Sequence, residues 1–372
     1  MPTILTSTAE VAALAAELRG EPVLAIDLEA DSQHRYREQV CLLQLSTLDR
    51  TVLIDPLQGL DLAPLAELFA DPAVRKIFHA ADYDLRCLHR DFRLQVRGLF
   101  DTMISAQLLG EEKLGLADVL GKYFGVTLDK RYQRADWAIR PLPPEMIAYA
   151  AEDTRHLHRL MMLFEARLRE LGRLEWAVEE FELLEAVRFT ASEGPLCLRL
   201  RGAGALPRRQ LGILEELLQW REREAARRDR PPYQVVGNST LLALAQQAPR
   251  TLTDLTVVEG LTPRLVERYG RDLLATIVRG LERPEGELPV WPRQPRQERD
   301  PAVDARLAAL KAWRKKRAGA LNIDAGVLIN NALLEALARE RPTRADALAG
   351  FPGLKRWQRR VLGSELLAVL AR

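Results

Sequence analysis

The chain has 372 residues, of which 47% are hydrophobic and 28% are charged, and its formal net charge is +2. This length and composition allow two or three folded domains with substantial hydrophobic cores. No segment approaches the roughly 20 consecutive apolar residues that a membrane span requires, and no basic segment followed by an apolar run marks a secretion signal. We therefore expect a cytoplasmic protein with no membrane partner.

The cysteines and the charge balance exclude two classes of site. Cys41, Cys87 and Cys197 lack CxxC spacing, so the sequence indicates neither a disulfide framework nor a zinc cluster. We expect all three to be core residues. The 54 Lys plus Arg against 52 Asp plus Glu do not by themselves select a partner.

The first part of the chain alternates strand and helix patterns. Apolar runs predict strands at residues 23–30, 41–46, 51–54 and 76–79, and helical spacing occurs at 62–69 and 85–91. Such alternation predicts an α/β layer fold. Beyond about Tyr149 the helical period continues almost to the C terminus, so we expect the second half to be all helix.

Two carboxylates, Asp27 and Glu29, interrupt the apolar run of the first predicted strand. Side chains two apart on a strand emerge on the same face, which leaves Leu24, Ile26 and Leu28 for the core. Adjacent half-buried carboxylates repel each other and lose hydration, so a cation would stabilise the pair. The alternative is a strand whose open face meets water, and the motif alone does not exclude it.

Further acids and a phenol follow at two later points. Asp82 and Asp84 lie at a predicted junction of strand and helix, and either could supply a third carboxylate. Tyr149 and Asp153 are four apart in a predicted helix, so one helical face presents a phenol beside a carboxylate. Carboxylate oxygens are the ligands that magnesium and manganese prefer.

In order and separation, these residues resemble the motifs of DEDD-type 3′-5′ exonucleases: Asp27-x-Glu29, Asp84 and Tyr149-x-x-x-Asp153. A tyrosine before the last aspartate indicates the DEDDy branch. The family places its third acid directly before an apolar residue at a helix start, which implies Asp84. Asp82 is then expected to cap the helix.

Two further features resemble the ribonuclease D family in particular. They are Lys130 and residues 136–142, which read DWAIRPL. This resemblance implies that Lys130 reaches the phosphate or base of the terminal nucleotide. For Arg140 two roles remain open, since its guanidinium could bind substrate phosphate or brace the loop. The polar residue Gln44 in a predicted strand is expected to be structural.

The second half repeats itself at an offset of 313 − 220 = 93 positions, the separation of Trp220 and Trp313. Other residue types recur in the same register: Asn238 and Asn331, Pro249 and Pro342, Gly260 and Gly353, Gly270 and Gly363. The two copies resemble HRDC domains. A proline-rich and charged stretch between them is expected to be a stiff exposed linker.

The resemblance implies an α/β ribonuclease H-like exonuclease domain, a mixed sheet flanked by helices, followed by two all-α HRDC domains. The expected boundaries are 1–190 for the exonuclease domain, 206–283 for the first HRDC domain, 284–300 for the linker and 301–372 for the second HRDC domain. Basic clusters at 311–317 and 355–360 in the second copy are expected to contact nucleic acid, with a solvated helix face as the alternative.

The resemblance also implies a mechanism. Asp27, Glu29, Asp84 and Asp153 would bind two divalent cations, Mg²⁺ or Mn²⁺, and Tyr149 would orient or deprotonate the attacking water. The expected products are nucleoside 5′-monophosphates. The expected substrate is RNA, chiefly transfer RNA precursors with 3′ extensions, and no obligate protein partner is predicted.

Two other functions compete with this interpretation. A 3′-5′ DNA exonuclease of proofreading or repair type would use the same acids, because contacts to a ribose 2′ hydroxyl cannot be located in a sequence. A nucleic-acid-binding adaptor built on an inactive nuclease fold is disfavoured, because all four acids and the tyrosine are present.

Overall fold

The computed structural model describes residues 2–292 and 300–371. Its first part is built on a six-stranded sheet in the order β1-β4-β3-β2-β5-β6. The strands are β1 (Thr3–Leu5), β2 (Val23–Ala30), β3 (Val40–Ser46), β4 (Thr51–Ile54), β5 (Arg75–Phe78) and β6 (Leu99–Asp101). β3 is antiparallel to β2 and β4, and the other neighbours are parallel, so the sheet is mixed.

Helices accompany this sheet along the chain: α1 (Thr8–Glu17), α2 (Ala66–Ala70), α3 (Asp82–Phe92), α4 (Thr102–Leu109), α5 (Leu116–Phe124), α6 (Pro144–Arg155), α7 (Leu157–Glu170) and α8 (Leu174–Glu185). The predicted α/β fold with a mixed sheet is confirmed. No helix of the described ranges 2–292 and 300–371 is long and apolar enough to span a bilayer.

The register of β2 and β3 defines the functional face of the sheet. Asp27 lies opposite Gln44, and Glu29 lies opposite Leu42. Directly opposed residues of an antiparallel pair project from the same face, so these four side chains share one surface. α6 contacts β2, β3 and β4. On the other face, Ile26 is completely buried, as the sequence predicts.

In the second half, the described residues up to 292 and from 300 to 371 form helices and no strand, and the duplication is visible in the bounds of these helices. The helices are α9 (Arg208–Arg228), α10 (Asn238–Gln247), α11 (Leu252–Leu255), α12 (Pro263–Glu282), α13 (Pro301–Leu321), α14 (Ala325–Leu328), α15 (Asn331–Glu340), α16 (Ala345–Ala349) and α17 (Arg356–Leu370). α9 and α13 match at both ends at the offset of 93, as do α10 and α15.

The residues that end corresponding helices also adopt matching backbone conformations. Asp229 and Asn322 have φ of 46° and 51°, and Ala248 and Arg341 have φ of 44° and 45°. Left-handed residues stop a helix and satisfy its last carbonyls. The two copies, called here the first and second helical domains, therefore share one fold.

The predicted linker is only partly described, because residues 293–299 lie outside the described ranges. Among the linker residues that the structure describes, Leu288 is buried. Its side chain packs closely against Gly212, where an added Cβ would lie only 2.5 Å from it. Trp291 also packs against the apolar core of the first helical domain. The expectation of an exposed linker is therefore wrong for these residues, because apolar side chains anchor them. The domain boundaries themselves stay predictions.

The chain forms two compact units, and the second helical domain belongs to the unit that contains the sheet. The indole rings of Trp357 on α17 and Trp176 on α8 stack at 4.6 Å with an interplanar angle of 11°. The Glu179 carboxylate accepts hydrogen bonds from the backbone N–H groups of Arg356 and Trp357, at 2.6 and 2.8 Å. α8 thus places an anion at the start of α17, where the helix dipole favours one.

This interface corrects the prediction for the basic cluster at 355–360. Acids of α8 take up its charges: Lys355 pairs with Glu180 at 2.6 Å, and Arg360 pairs with Glu175. Arg356 pairs with another acid of the same helix. The cluster docks the second helical domain onto α8, so most of its charge is used within the protein.

The stacked tryptophans yield a stability prediction. Trp357→Ala is expected to lower the free energy of unfolding by about 3–5 kcal/mol, because it removes a large side chain with 1% exposure. Trp176→Ala and the double variant complete a cycle to be measured by urea unfolding. The loss in the double variant should be smaller than the sum of the two single losses by about 0.5–1.5 kcal/mol, the contribution of an aromatic pair. Strict additivity would contradict an energetic contact between the rings.

Candidate active site

Three distant segments bring the predicted acids together. β2 supplies Asp27 and Glu29, the first turn of α3 supplies Asp84, and α6 supplies Asp153. Carboxylate oxygens of Asp27, Glu29 and Asp153 all lie within 4.8 Å of one another. The strand period and the packing of α6 on that face of the sheet account for this convergence.

Asp84 lies beside this group, whereas Asp82 does not join it. The Asp84 side chain is buried, and its charge acts on Asp27 and Glu29. Asp82 forms an exposed ion pair with Arg86 at 2.8 Å. Its predicted capping role is wrong, because the helix begins at Asp82 itself and its carboxylate reaches one turn forward to Arg86.

Asp101 fixes the turn from which Asp84 emerges, and sequence reasoning missed it. Its buried carboxylate accepts hydrogen bonds from the backbone N–H of Ala81 at 2.7 Å and of Met103 at 2.8 Å. It thereby connects the start of α3 to the start of α4. The available signal was an aspartate between an apolar strand and a helix, the preferred place for a capping residue.

The electrostatics of the group oppose the ionised state. Burial, and then repulsion from neighbouring acids, raise the pKa values of Asp27, Glu29 and Asp84 well above the ordinary range. Burial and the charge of Asp27 raise the pKa of Asp153 to about 8, against a hydrogen bond from Tyr149. Without a cation, burial and mutual repulsion therefore favour the protonated forms of these carboxyl groups.

Tyr149 completes the site as a hydrogen-bond donor. Burial, followed by the charges of Asp153 and Glu29, raises the pKa of its phenol, so the O–H is retained and bonds to Asp153. The rings of Tyr132 and Trp137 pack against the phenol ring, with centroid separations of 5.8 and 5.9 Å. The segment that contains these two residues thus fixes the orientation of the phenol.

For Arg140, the contacts favour bracing over substrate binding. Its guanidinium pairs with Asp55, through Nε at 2.7 Å and Nη2 at 2.5 Å. The remaining N–H groups donate to the carbonyls of Trp137, Ile139 and Cys41. All five donors of the side chain are thus engaged within the protein.

The other partner in this brace is held as an anion. Burial opposes ionisation of Asp55, but hydrogen bonds from Arg140 and Gln58 lower the pKa of its carboxyl below the usual value. Lys130 lies on the connection between α5 and α6 and is exposed. Its predicted contact with the terminal nucleotide stays a prediction.

Gln44 is a second residue whose importance the sequence understates. It lies opposite Asp27 and is completely buried. Within the described part of the chain, neither its amide nitrogen nor its amide oxygen has a hydrogen-bond partner. Unpaired buried polar groups cost free energy, so this residue weakens the fold at the edge of the acidic group.

Gln44→Met is therefore expected to raise the free energy of unfolding of the metal-free protein by about 1–3 kcal/mol. The matched control is Gln358→Met, since the buried Gln358 amide donates to Leu328 O at 2.9 Å and accepts from Lys355 N at 3.0 Å. That variant should be destabilised. Urea unfolding in EDTA compares the two, and a destabilised Gln44→Met would show that the Gln44 amide is already satisfied.

Comparisons with known families agree with this geometry. A family described as 3′-5′ exonuclease matches residues 2–169, and HRDC domains match residues 210–277 and 303–370. Ribonuclease D of Acidiphilium cryptum is 34% identical, over 98% of this chain and 92% of that protein. Ribonuclease D of Pseudomonas paraeruginosa is 32% identical, over 95% and 93%.

Solved structures show the same similarity. Escherichia coli RNase D, described as an exoribonuclease involved in structured RNA processing, superposes with a TM-score of 0.76 at 28% identity, over 100% of this chain and 99% of that one. A Bifidobacterium adolescentis protein superposes with a TM-score of 0.84 at 23% identity, over 100% and 97%, and supports the fold alone. The chain therefore belongs to the ribonuclease D family of 3′-5′ exoribonucleases.

Proposed function

We propose that this protein shortens RNA from its 3′ end by hydrolysis, releases nucleoside 5′-monophosphates, and acts on transfer RNA precursors with 3′ extensions. The observation that carries the proposal is the convergence of Asp27, Glu29, Asp84 and Asp153 beside the phenol of Tyr149. The role of the E. coli relative in structured RNA processing supports the choice of substrate.

The donor set fits two divalent cations, Mg²⁺ or Mn²⁺. Asp27, Glu29, Asp84 and Asp153 offer only carboxylate oxygens, which these hard cations prefer. Their raised pKa values indicate that these carboxyl groups repel one another and that a bound cation would stabilise their ionised forms. When bound, such cations activate water and stabilise the departing 3′ oxygen in an in-line displacement.

The surrounding residues position what reacts. Tyr149, whose raised pKa favours the protonated phenol, orients the attacking water by a hydrogen bond. Asp153 fixes the direction of that hydroxyl. Arg140 holds the segment with Trp137 in place, and Lys130 contacts the terminal nucleotide.

The site of action we infer is the cytoplasm, where transfer RNA precursors are made, without an obligate protein partner. The complete set of acids and the phenol supports an active enzyme over an inactive adaptor. An inactive adaptor would bind a 3′-tailed RNA but would not shorten it in Mg²⁺ or Mn²⁺.

The test uses matched RNA and DNA oligonucleotides labelled at the 5′ end, each with a free or a blocked 3′ end. A ladder that shortens one nucleotide at a time is expected on RNA with a free 3′ end, together with 5′-monophosphates. A transfer RNA precursor should lose its 3′ extension and then resist further shortening. Faster hydrolysis of DNA, or internal cleavage of the blocked RNA, would contradict the proposal.

A further inference from the structure

The first helical domain contains a basic pocket of about 420 Å³. Six of its lining residues carry the argument, and we call them the arginine pocket: Arg228, Arg230, Arg264, Arg268, Gln234 and Tyr269. The arginines come from the end of α9, the residues just beyond it and the first turns of α12. Four guanidinium groups at one concave surface form an anion-binding arrangement.

Most of this charge is available to a ligand. Arg230, Arg264 and Arg268 are exposed, and none of them is in an ion pair within residues 2–292 and 300–371. Arg228 is partly neutralised by Glu224, and its guanidinium lies 5.3 Å from the centre of the Tyr269 ring.

Tyr269 forms the floor of the pocket and does not offer a surface for base stacking. Its side chain is buried, and its ring meets Trp220 edge-on at 5.3 Å in the domain core. Aromatic platforms that hold single-stranded bases need an exposed ring face. The pocket therefore recognises charge and not bases.

The equivalent surface of the second helical domain carries different side chains. At the offset of 93, the four arginines become apolar residues: Leu321, Ile323, Trp357 and Val361. That surface is covered by protein, since Trp357 stacks on Trp176 and the Leu321 carbonyl accepts a hydrogen bond from Arg173 at 2.5 Å. In the first domain, Arg264 replaces the Trp357 anchor, so the equivalent surface is basic and suited to a phosphate.

The arginine pocket also borders a segment that follows the catalytic strand. Asp229, between two pocket arginines, accepts a hydrogen bond from Tyr36 N at 3.2 Å, and Gln234 donates to Gln33 O at 2.9 Å. Both partners belong to residues 31–39, which begin two positions after Glu29. The pocket is thus connected by the chain itself to the strand with the first two acids.

We propose that the arginine pocket binds backbone phosphates of the RNA substrate, upstream of the nucleotide that is removed. This rests on the proposed function, because it takes RNA as the substrate. Arginine forks match phosphate oxygens in pairs and read no base, so the pocket adds affinity without sequence preference. Long RNA offers many backbone phosphates to the pocket, whereas an oligonucleotide of a few residues offers few.

The experiment compares two full-length double variants with the same change in charge. Arg264→Glu with Arg268→Glu alters the pocket, and Arg223→Glu with Arg250→Glu alters exposed arginines of the same domain outside the pocket lining. Binding of a long 3′-tailed RNA is measured in EDTA over a range of salt concentrations. Hydrolysis of a short oligonucleotide is measured separately with Mg²⁺.

The pocket variant should bind long RNA at least about tenfold more weakly than the control variant, and its salt dependence should fall by about 0.7 for each lost phosphate contact. Its kcat/KM on the short oligonucleotide should stay within about twofold of the unaltered enzyme, since the acids are untouched. Arg264→Gln with Arg268→Gln should shift binding in the same direction by a smaller factor.

Equal affinity and equal salt dependence in the pocket and control variants would overturn the proposal. Displacement of long RNA by inorganic phosphate, at a concentration matching the RNA phosphates, would overturn it in favour of a free-anion site. Failure of the proposed function looks different, because the unaltered enzyme would then not hydrolyse the short oligonucleotide. Binding in EDTA is measured independently of that result.

Discussion

Asp27→Asn is expected to reduce RNA hydrolysis by at least about 10²- to 10³-fold while the protein stays folded. The amide has nearly the shape of the carboxylate but no charge to hold a cation. It also removes one of four buried, mutually repelling acids, so the metal-free variant should unfold at a higher temperature than the unaltered protein. Initial rates on 5′-labelled RNA in Mg²⁺ and thermal unfolding in EDTA measure the two effects.

Asp82→Asn is the matched control, since it makes the same chemical change two residues from Asp84. Asp82 pairs with Arg86 at an exposed position, and such pairs contribute little to stability. Its hydrolysis rate should equal that of the unaltered enzyme. Normal activity in Asp27→Asn would remove Asp27 from the mechanism.

The contribution of the four acids to the stability of the metal-free protein is expected to fall as the pH rises from about 4, the ordinary value for aspartate, towards about 8, the raised pKa of Asp153. At these carboxyl groups the folded chain binds more protons than the unfolded chain in this range, so their contribution to the free energy of unfolding falls as protons leave. Asp27, Glu29 and Asp84 act in the same direction, because their pKa values are also raised.

Added Mg²⁺ or Mn²⁺ should reverse this trend, because cations bind the ionised carboxylates and their binding strengthens as protons leave. Melting temperatures measured across this pH range, in EDTA and in excess metal, should therefore diverge as the pH rises. EDTA should also abolish hydrolysis. A difference between the two melting temperatures that does not grow with pH, or an unchanged melting temperature with metal at pH 8, would contradict the description of the site.

The sequence predicts the parts of the fold that have a clear period. The strand with Asp27 and Glu29 occupies residues 23–30 as predicted, and the second predicted strand gains only Val40 at its start. The three-residue strands β1 and β6 were missed, because so short a segment has no measurable alternation. The helix predicted at 62–69 is instead a short 3₁₀ turn at Ala63–Leu65 followed by α2.

The site could be predicted where spacing alone decides which side chains share a face. The two-residue step of β2 and the four-residue step of α6 put Asp27 beside Glu29 and Tyr149 beside Asp153. The choice of Asp84 came from the family resemblance and not from spacing. The role of Asp101 depends on a turn that no local pattern reveals.

Contacts over long sequence separations account for the remaining differences. The acids that neutralise the basic cluster lie on another domain, and Lys355 is 175 positions from its partner Glu180. A run of basic residues looks the same in sequence whether it faces solvent, nucleic acid or protein. The duplicated domains give an example, because Arg264 and Trp357 occupy equivalent positions of the two copies. Arg264 lines an exposed pocket, whereas Trp357 is buried at an interface.

The same interface affects how the helical domains should be tested. Removing the second helical domain would expose Trp176 and the acids of α8, which the intact chain covers or pairs. A loss of activity on deletion would then combine instability with loss of substrate contacts. Charge reversal at exposed arginines in the full-length chain separates a loss of substrate contacts from a loss of stability.

The most direct test of the metal site is crystallography of the full-length protein with Mn²⁺, using the anomalous scattering of the metal. Two manganese positions are expected, bound by carboxylate oxygens of Asp27, Glu29, Asp84 and Asp153 and next to the Tyr149 hydroxyl. The Asp27→Asn variant should retain at most one of them. Manganese bound elsewhere, or carboxylates that point into separate regions with no shared ion, would contradict the proposed chemistry.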